Sequence, residues 1–392
     1  MKNSILTFFL CLILGTTLVH GAVHVVTPEQ DIQTILNSST SGDLIKLLPG
    51  SYGDLSIVNK DITLRSMGST PVTLGNIEVN GSIVTMIKIS SSDLEANDLP
   101  GDPAKVIATQ GSFGTINLNS SESRLSYCNI NHLVVTSGKT ITTGCQFDGG
   151  SGSGGIGIDA HGPSSYIKVQ NCIIRNYSKH TEHGISEECI GIRIHNGANG
   201  EIINNVIYQC FDSWGKGWEE NCGIGIYVKQ NSSATAMGNI IFECFVNNGG
   251  NEWGNLNGGD RLVLAEGAIN LTNNILWNNR NDLTAHGNIH PALVGGTASL
   301  TGNLTAPPSF VNWQQGILEL NSNSPAIDAG PPDPQYNDRD GSRNDIGMFG
   351  GHNFIPNGRT TDKPIVLGLD VAPIAVPTGG TVTIESTGAT LK

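Results

Sequence analysis

Apolar and polar residues alternate along most of this chain in short bursts. Each burst stops at Gly, Asn or Ser, as in LSIV (55–58), DITLRS (61–66) and IEVNGSIVTMIKI (77–89). An apolar residue at every second position is the strand period, and no stretch of comparable length carries the helical one. The exception is DIQTILNSS (31–39), whose spacing predicts a short amphipathic helix near the N-terminus.

The bursts recur with a fixed period. Asn171, Asn205, Asn239 and Asn273 are 34 residues apart, followed two positions on by Ile173, Ile207, Ile241 and Ile275. The strings GIGID (155–159), GIRI (191–194) and GIGIYV (223–228) place Gly157, Gly191 and Gly225 at the same period. Strands this short are stable only when each stacks on its copy in the next repeat. Stacking sets equivalent residues about 4.8 Å apart, close enough for an Asn column to bond amide to amide. The fold class predicted is all-β: a single-stranded right-handed parallel β-helix over 23–355, closed at its start by the helix so that strand edges are not left open. Residues 356–392 are expected to be a linker and a short β tail, with two strands around Thr378-Gly379-Gly380.

Residues 1–22 have the form of a signal peptide, with Lys2, an apolar run from Ile5 to Leu18, and a cut expected at Gly21 or Ala22. The mature protein is therefore expected to be secreted, extracellular or periplasmic, or at the cell surface. It is expected to be monomeric, with no membrane span once the signal is gone. Seven of the 8 cysteines remain after Cys11 leaves with the signal. Cys210 and Cys244, Cys189 and Cys222, and Cys145 and Cys172 fall on neighbouring coils, as disulfides or as buried thiols.

Strand alternation also selects side chains on the outer surface. With Ile158 and Ala160 inward, Asp159 and His161 point out. One coil on, Arg193 and His195 point out, and then Tyr227 and Lys229. Two columns are predicted on one face, Asp159–Arg193–Tyr227 and His161–His195–Lys229. A carboxylate, a cation and several proton carriers together are what uronate β-elimination requires. A cation neutralises the carboxylate beside C5, a base removes the C5 proton, and an acid assists departure at C4. On this reading Arg193 neutralises, Lys229, His195 or Tyr227 serves as base and acid, and Asp159 orients a His or binds a cation. A polar, solvated sheet face would carry the same residues without any chemistry.

The segments entering these strands carry His180, Glu182, His183, Glu187 and Glu188, then Asp212, Trp214, Lys216, Trp218, Glu219 and Glu220, then Glu252, Trp253 and Asp260. Trp214, Trp218 and Trp253 are expected to form a platform for sugar rings, which stack on indole faces. Hydrolysis would need two neighbouring carboxylates, and Asp159 stands alone on its strand.

The succession DIQTIL, GDLIKLLPGSY, KDITLRS and the Asn-bearing coils resembles the pectate-lyase-like right-handed β-helix superfamily. The stretch SPAIDAGPPDPQYNDRDGSRNDIGMFGG (324–351) is similar to the closing segment of many secreted bacterial β-helix proteins. The resemblance covers roughly residues 24–355 and implies fold more than activity, since the superfamily holds lyases, hydrolases, epimerases and adhesins. It implies Ca²⁺ held by acidic loops, with Glu187, Glu188, Asp212, Glu219 and Glu220 as candidate ligands, and no organic cofactor. Asp338, Asp340 and Asp345 in NDRDGSRNDIG have the look of a Ca²⁺ loop, although Asp residues also organise tight turns. Asp159-Ala160-His161 resembles the Asp-Pro-His motif of alginate C5-epimerases, with Ala in place of Pro.

Composition narrows the partners. With 50 Gly, 14% charged residues, 6% aromatics and a net charge of −13, the chain is a poor partner for nucleic acid. A polysaccharide is the expected partner, and an acidic one needs a local positive charge or a bridging cation. The leading expectation is a polysaccharide lyase acting on a uronate. The alternatives are a non-catalytic glycan-binding surface or adhesion protein and a uronate C5-epimerase.

Overall fold

The computed structural model describes residues 21–68, 72–150, 154–179, 188–212, 222–246, 261–277, 294–361, 363–372 and 383–389. Twenty-five strands join in one continuous sheet, and its pairings are parallel. The chain winds through three faces in every coil. The first face stacks Leu55–Val58 and Ile77–Asn80 at one end and Gly155–His161, Cys189–His195 and Cys222–Val228 further on. The second runs from Val23–Val26 and Leu44–Leu47 to Ser165–Gln170, Asn199–Ile203 and Ser233–Met237. The third includes Ile173–Arg175, Val206–Tyr208, Ile240–Phe242 and Ile275–Trp277. The parallel β-helix expected from the repeat is the fold observed.

The interior is a set of aliphatic columns. Ile158, Ile192 and Ile226 stack on the first face and are fully buried, as are Ile174, Ile207 and Ile241 on the third. The helix Ile32–Ser38 sits at the N-terminal end, its first turn capped by the Asp31 side chain and its Ile32 and Leu36 buried in the same core. No helix among the described residues is long and apolar enough to cross a membrane.

The period holds on the first face from Ile158 to Ile226 and is elastic on the third. Ile158 pairs with Ile192 and Ile192 with Ile226, but Ile173 pairs with Val206, Val206 with Ile240 and Ile240 with Ile275. The expected columns of Asn and Ile are therefore each out by one residue in part. Five steps separate His161 from Tyr166, while four separate His195 from Tyr166's partner Asn199, so the turn absorbs the difference.

The slip divides the asparagines between two jobs. Asn171, Asn204 and Asn273 hold left-handed backbone at φ 53°, 52° and 50°, a conformation that Asn tolerates and Gly238 shares. The residues after them form the ladder. Asn239 Oδ1 accepts from both the backbone N–H and Nδ2 of Asn205, Asn274 does the same for Asn239, and Asn303 for Asn274, all at 2.9 Å. Each Nδ2 also donates to an inner carbonyl, as Asn239 does to Ile202. Earlier coils place Cys128, Cys145 and Cys172 at this corner as buried free thiols. Cys189, Cys210 and Cys244 are buried as well, and the side chain of Cys222 lies outside the described residues.

After the last coil the chain turns back along the helix. Arg343 donates to the Gly330 carbonyl, Asn204 Nδ2 to Asn344 Oδ1 and the Asp345 carbonyl, and Asn171 Nδ2 to the Met348 and Gly350 carbonyls; further on, Gln110 reaches Gly358 and Thr361. This strap buries the outer side of the third face. There Tyr208 and Phe242 stack at 5.0 Å and Phe310, Leu318, Ala326 and Ile346 close over them. The segment 324–351 thus covers an apolar face that would otherwise stay wet.

The Asp residues within the strap organise turns. Asp338 accepts from the backbone N–H groups of Asp345 and Gly351, Asp340 from Ser342, and Asp345 from Asp328. Beyond the strap, Ile365–Ala372 and Thr383–Ala389 pair as an antiparallel hairpin, as expected for the tail.

Two predictions test these elements. Asn239→Ala leaves the buried Asn205 backbone N–H without its acceptor and removes one of the two acceptors of the Asn205 amide, so it should cost about 1–3 kcal/mol, read from the denaturant midpoint at unchanged slope. Burial, with the Asp345 and Asp340 charges, pushes the Asp338 carboxyl up to about 6. A carboxyl whose folded pKa is raised loses stability as pH climbs from its unfolded value through that value. The Tm of the wild type relative to Asp338→Asn should therefore fall from pH 4 to pH 6.5 and level off above; a constant difference would contradict it.

Candidate functional site

The first face bears the residues singled out by alternation. Between Ile158 and Ala160 on one strand, Ile192 and Ile194 on the next, and Ile226 and Val228 on the third, the intervening side chains leave the core. Asp159 pairs with Arg193 and Arg193 with Tyr227, while His161 pairs with His195 and Lys229 follows Val228. The two expected columns are present.

Alternation breaks just before them, at the glycines. A Cβ on Gly191 would lie 2.9 Å from Ile207 and 3.3 Å from the Cys210 sulfur, so this glycine faces the interior along with Ile192. Gly225 is placed alike against Ile241 and Cys244. Two consecutive inward residues turn the preceding Ile outward. Ile190 and Ile224 accordingly cluster with Tyr227 outside the main core, joined by Ile156 and Leu264. The Ile-Gly-Ile run repeats this break in alternation from coil to coil, and it gives the site an apolar flank.

Tyr227 belongs to that flank. Expected as an outward proton carrier, it is only 2% exposed, and its hydroxyl donates to Glu266 at 2.6 Å. Glu266, one coil further on, escaped the sequence reading because coil lengths change there. Val228 pairs with Ala265, which puts Glu266 beside the Lys229 position. The Lys229 ammonium lies 5.2 Å from the Tyr227 ring centroid and makes no ion pair among the described residues.

Asp159 is the electrostatic centre. Arg193 grips it bidentately, Nε to Oδ1 and Nη2 to Oδ2 at 2.8 Å each. The other arm of the guanidinium binds Glu188. Burial raises the Asp159 carboxyl, but Arg193, His195 and His161 together outweigh it and hold the group below the usual carboxylate range. Burial lowers the Arg193 guanidinium pKa, and Asp159 and Glu188 more than restore it. The same burial pulls the His195 imidazole below its usual value, helped by Arg193 and His161 and opposed by Asp159.

Both imidazoles turn a nitrogen toward this carboxylate. His195 Nε2 lies 3.0 Å from Oδ1 and His161 Nδ1 3.9 Å from Oδ2, with the rings 5.1 Å apart. Neither contact has hydrogen-bond geometry, so two buried ring nitrogens remain without a hydrogen-bond partner. Proximity and alignment disagree for His195, and alignment decides, since a hydrogen bond fails steeply off its axis.

The rest of the expected site lies elsewhere. Trp214, Trp218, Trp253, Glu187, Glu219 and Glu220 are outside the described residues, and Asp212 is described by its backbone alone. Among the Ca²⁺ candidates Glu188 is described, and its carboxylate is committed to Arg193. The one group of metal-capable side chains among the described residues is Asp159, His161 and His195, with one oxygen and two nitrogens. That donor set does not fit Ca²⁺, which takes six to eight oxygens. Asp338, Asp340 and Asp345 are absent from it.

The fold and face define a parallel β-helix with a histidine–carboxylate–arginine cluster on its outer surface. No family model matches the chain, and no curated protein does. Among solved structures it is similar to the crystal structure of pectate lyase Pel9A, at 13% identity and a TM-score of 0.42, covering 84% of this chain and 96% of the other. At that distance the site has to be read from its own geometry.

Arg193 is here a structural cation as much as a surface one. Arg193→Ala strands two part-buried carboxylates and should cost about 1.5–3 kcal/mol in denaturant melts, and Arg193→Lys should recover little because a single ammonium cannot make the two-pronged contact. Equal stability of the Lys variant and wild type would refute the bidentate role.

Proposed function

We propose that this protein is a secreted carbohydrate-active enzyme that removes the C5 proton of a uronate ring in a polysaccharide. Elimination is the leading outcome and C5 epimerisation the second. The observation that carries the reading is Lys229. It stands at the end of the His161–His195 column with its ammonium in no ion pair among the described residues, next to a cluster whose other charges are already paired. A lysine beside a sugar-binding face is a competent base when unprotonated.

In elimination the C5–H electrons become the C4=C5 double bond, the proton passes to the Lys229 amine, and the C4–O4 bond breaks. The ammonium so formed, or water, returns a proton to the departing O4. In epimerisation the proton returns to the opposite side of C5 and no bond to oxygen breaks.

Arg193 does not supply the charge that this chemistry needs. Asp159 and Glu188 together outweigh its single positive charge, so an incoming uronate meets a cluster of net charge −1 when both imidazoles are neutral. The role expected for Arg193 is replaced in this proposal by one of holding Asp159 in place. Trp214, Trp218 and Trp253 remain the proposed sugar platform.

Turnover in D₂O on a panel of uronate polysaccharides tests the reading. Deuterium at C5 reports either outcome, and near-ultraviolet absorbance of the unsaturated uronate reports elimination. Lys229→Met should lower both by roughly 10²–10⁴-fold while leaving the circular dichroism spectrum unchanged. Full activity in Lys229→Met overturns the assignment of the base. Binding without exchange or elimination on any polysaccharide overturns the enzyme reading in favour of a glycan-binding surface protein.

A further inference from the structure

We infer that Asp159, His161 and His195 form a binding site for one divalent transition-metal ion of the Zn²⁺ or Mn²⁺ type. Two features of the cluster point there. The ligand atoms, one from each residue, all lie within 4.8 Å of one another. Zn–N and Zn–O distances are about 2.0–2.2 Å, so one ion can reach all three with only small rotations of the side chains. The two imidazole nitrogens facing the carboxylate are buried and have no hydrogen-bond partner. An unpaired buried polar atom is costly, and two of them converging on one carboxylate oxygen pair is the arrangement that an ion satisfies.

The scaffold suits a ligand set. Asp159 and His161 are alternate residues of one strand, and His195 is the direct cross-strand partner of His161, so backbone pairing fixes the spacing of all three. Arg193 holds the same carboxylate through one bond to each oxygen, as partners beyond the ligands do in metal sites. Its positive charge opposes an ion nearby, and Glu188 on its far arm offsets that charge. Two nitrogens and one oxygen select a borderline metal over Ca²⁺. Three protein ligands leave coordination positions open, which is the pattern of catalytic sites.

Metal binding by itself does not depend on the proposed enzyme reading. If that reading holds, the ion supplies the positive charge for the uronate carboxylate that Arg193 cannot, one rung from Lys229. The two ideas fail separately because metal binding is measured with no polysaccharide present.

The full mature chain, stripped with a chelator, would be titrated with Zn²⁺, Mn²⁺, Co²⁺ and Ca²⁺. Equilibrium dialysis should give one Zn²⁺ per chain, Co²⁺ should develop visible d–d absorption, and Tm should rise with these ions and not with Ca²⁺. His161→Gln and His195→Gln should each weaken binding by roughly 10–100-fold or more and remove the Co²⁺ bands. Asp338→Asn, whose carboxylate lies in the strap, should bind as wild type does. The wild-type chain failing to bind stoichiometrically overturns the inference, and so does binding that both Gln variants retain with native circular dichroism. Turnover that persists in the metal-free protein removes the charge-supplying role alone.

Discussion

Every layer of this molecule answers to one constraint, that a residue inside the helix has its own counterpart directly above and below it. Parallel pairing about 4.8 Å apart makes the interior a set of columns, and a column is filled well only if each coil offers a side chain of the same shape. Ile158, Ile192 and Ile226 meet that demand, and so do Ile174, Ile207 and Ile241 on the third face. The glycines show the same rule in reverse. Gly191 and Gly225 occupy positions where the neighbouring face leaves no space for a methyl group.

The outer surface inherits the columns. Asp159 meets Arg193 and His161 meets His195 because the residues between them are locked into the core, and no loop is needed to bring them together. A site built this way is rigid, and its charges are compensated locally. Arg193 makes one contact to each oxygen of Asp159, so the groups left to meet a ligand are the remaining lone pairs of that carboxylate, the imidazoles and Lys229. The break in alternation at the glycines adds an apolar wall of Ile190, Ile224 and Tyr227 beside the polar cluster.

The strap shows what happens where the helix has an apolar exterior. Tyr208, Phe242 and Trp277 point out from the third face, and the chain beyond the last coil folds back over them. Its backbone turns dock on the asparagines that hold left-handed conformation, so Asn171 and Asn204 serve the turn with their backbone and the strap with their amides.

The sequence by itself determined the repeat, the strand faces and the outward set of the first face. These follow from identity between coils, and identity is visible as spacing: Asp159, His161, Arg193 and His195 were all identified from the alternation around Ile158 and Ile192. Tertiary structure alone decided the rest. Turns differ in length by a residue, which moved the ladder from Asn171 and Asn273 to Asn274 and Asn303. An inward glycine reversed the side of the Ile before it, as at Ile190 and Ile224, and burial then took Tyr227 from the open surface into contact with Glu266. Arg193 was drawn to Glu188, a residue only five positions away whose direction no periodicity encodes. Spacing reports which residues are equivalent from coil to coil. Which way a side chain leans within its rung, and what it pairs with, depends on lateral contacts between residues that are not equivalents, and those exist only once the coils are stacked.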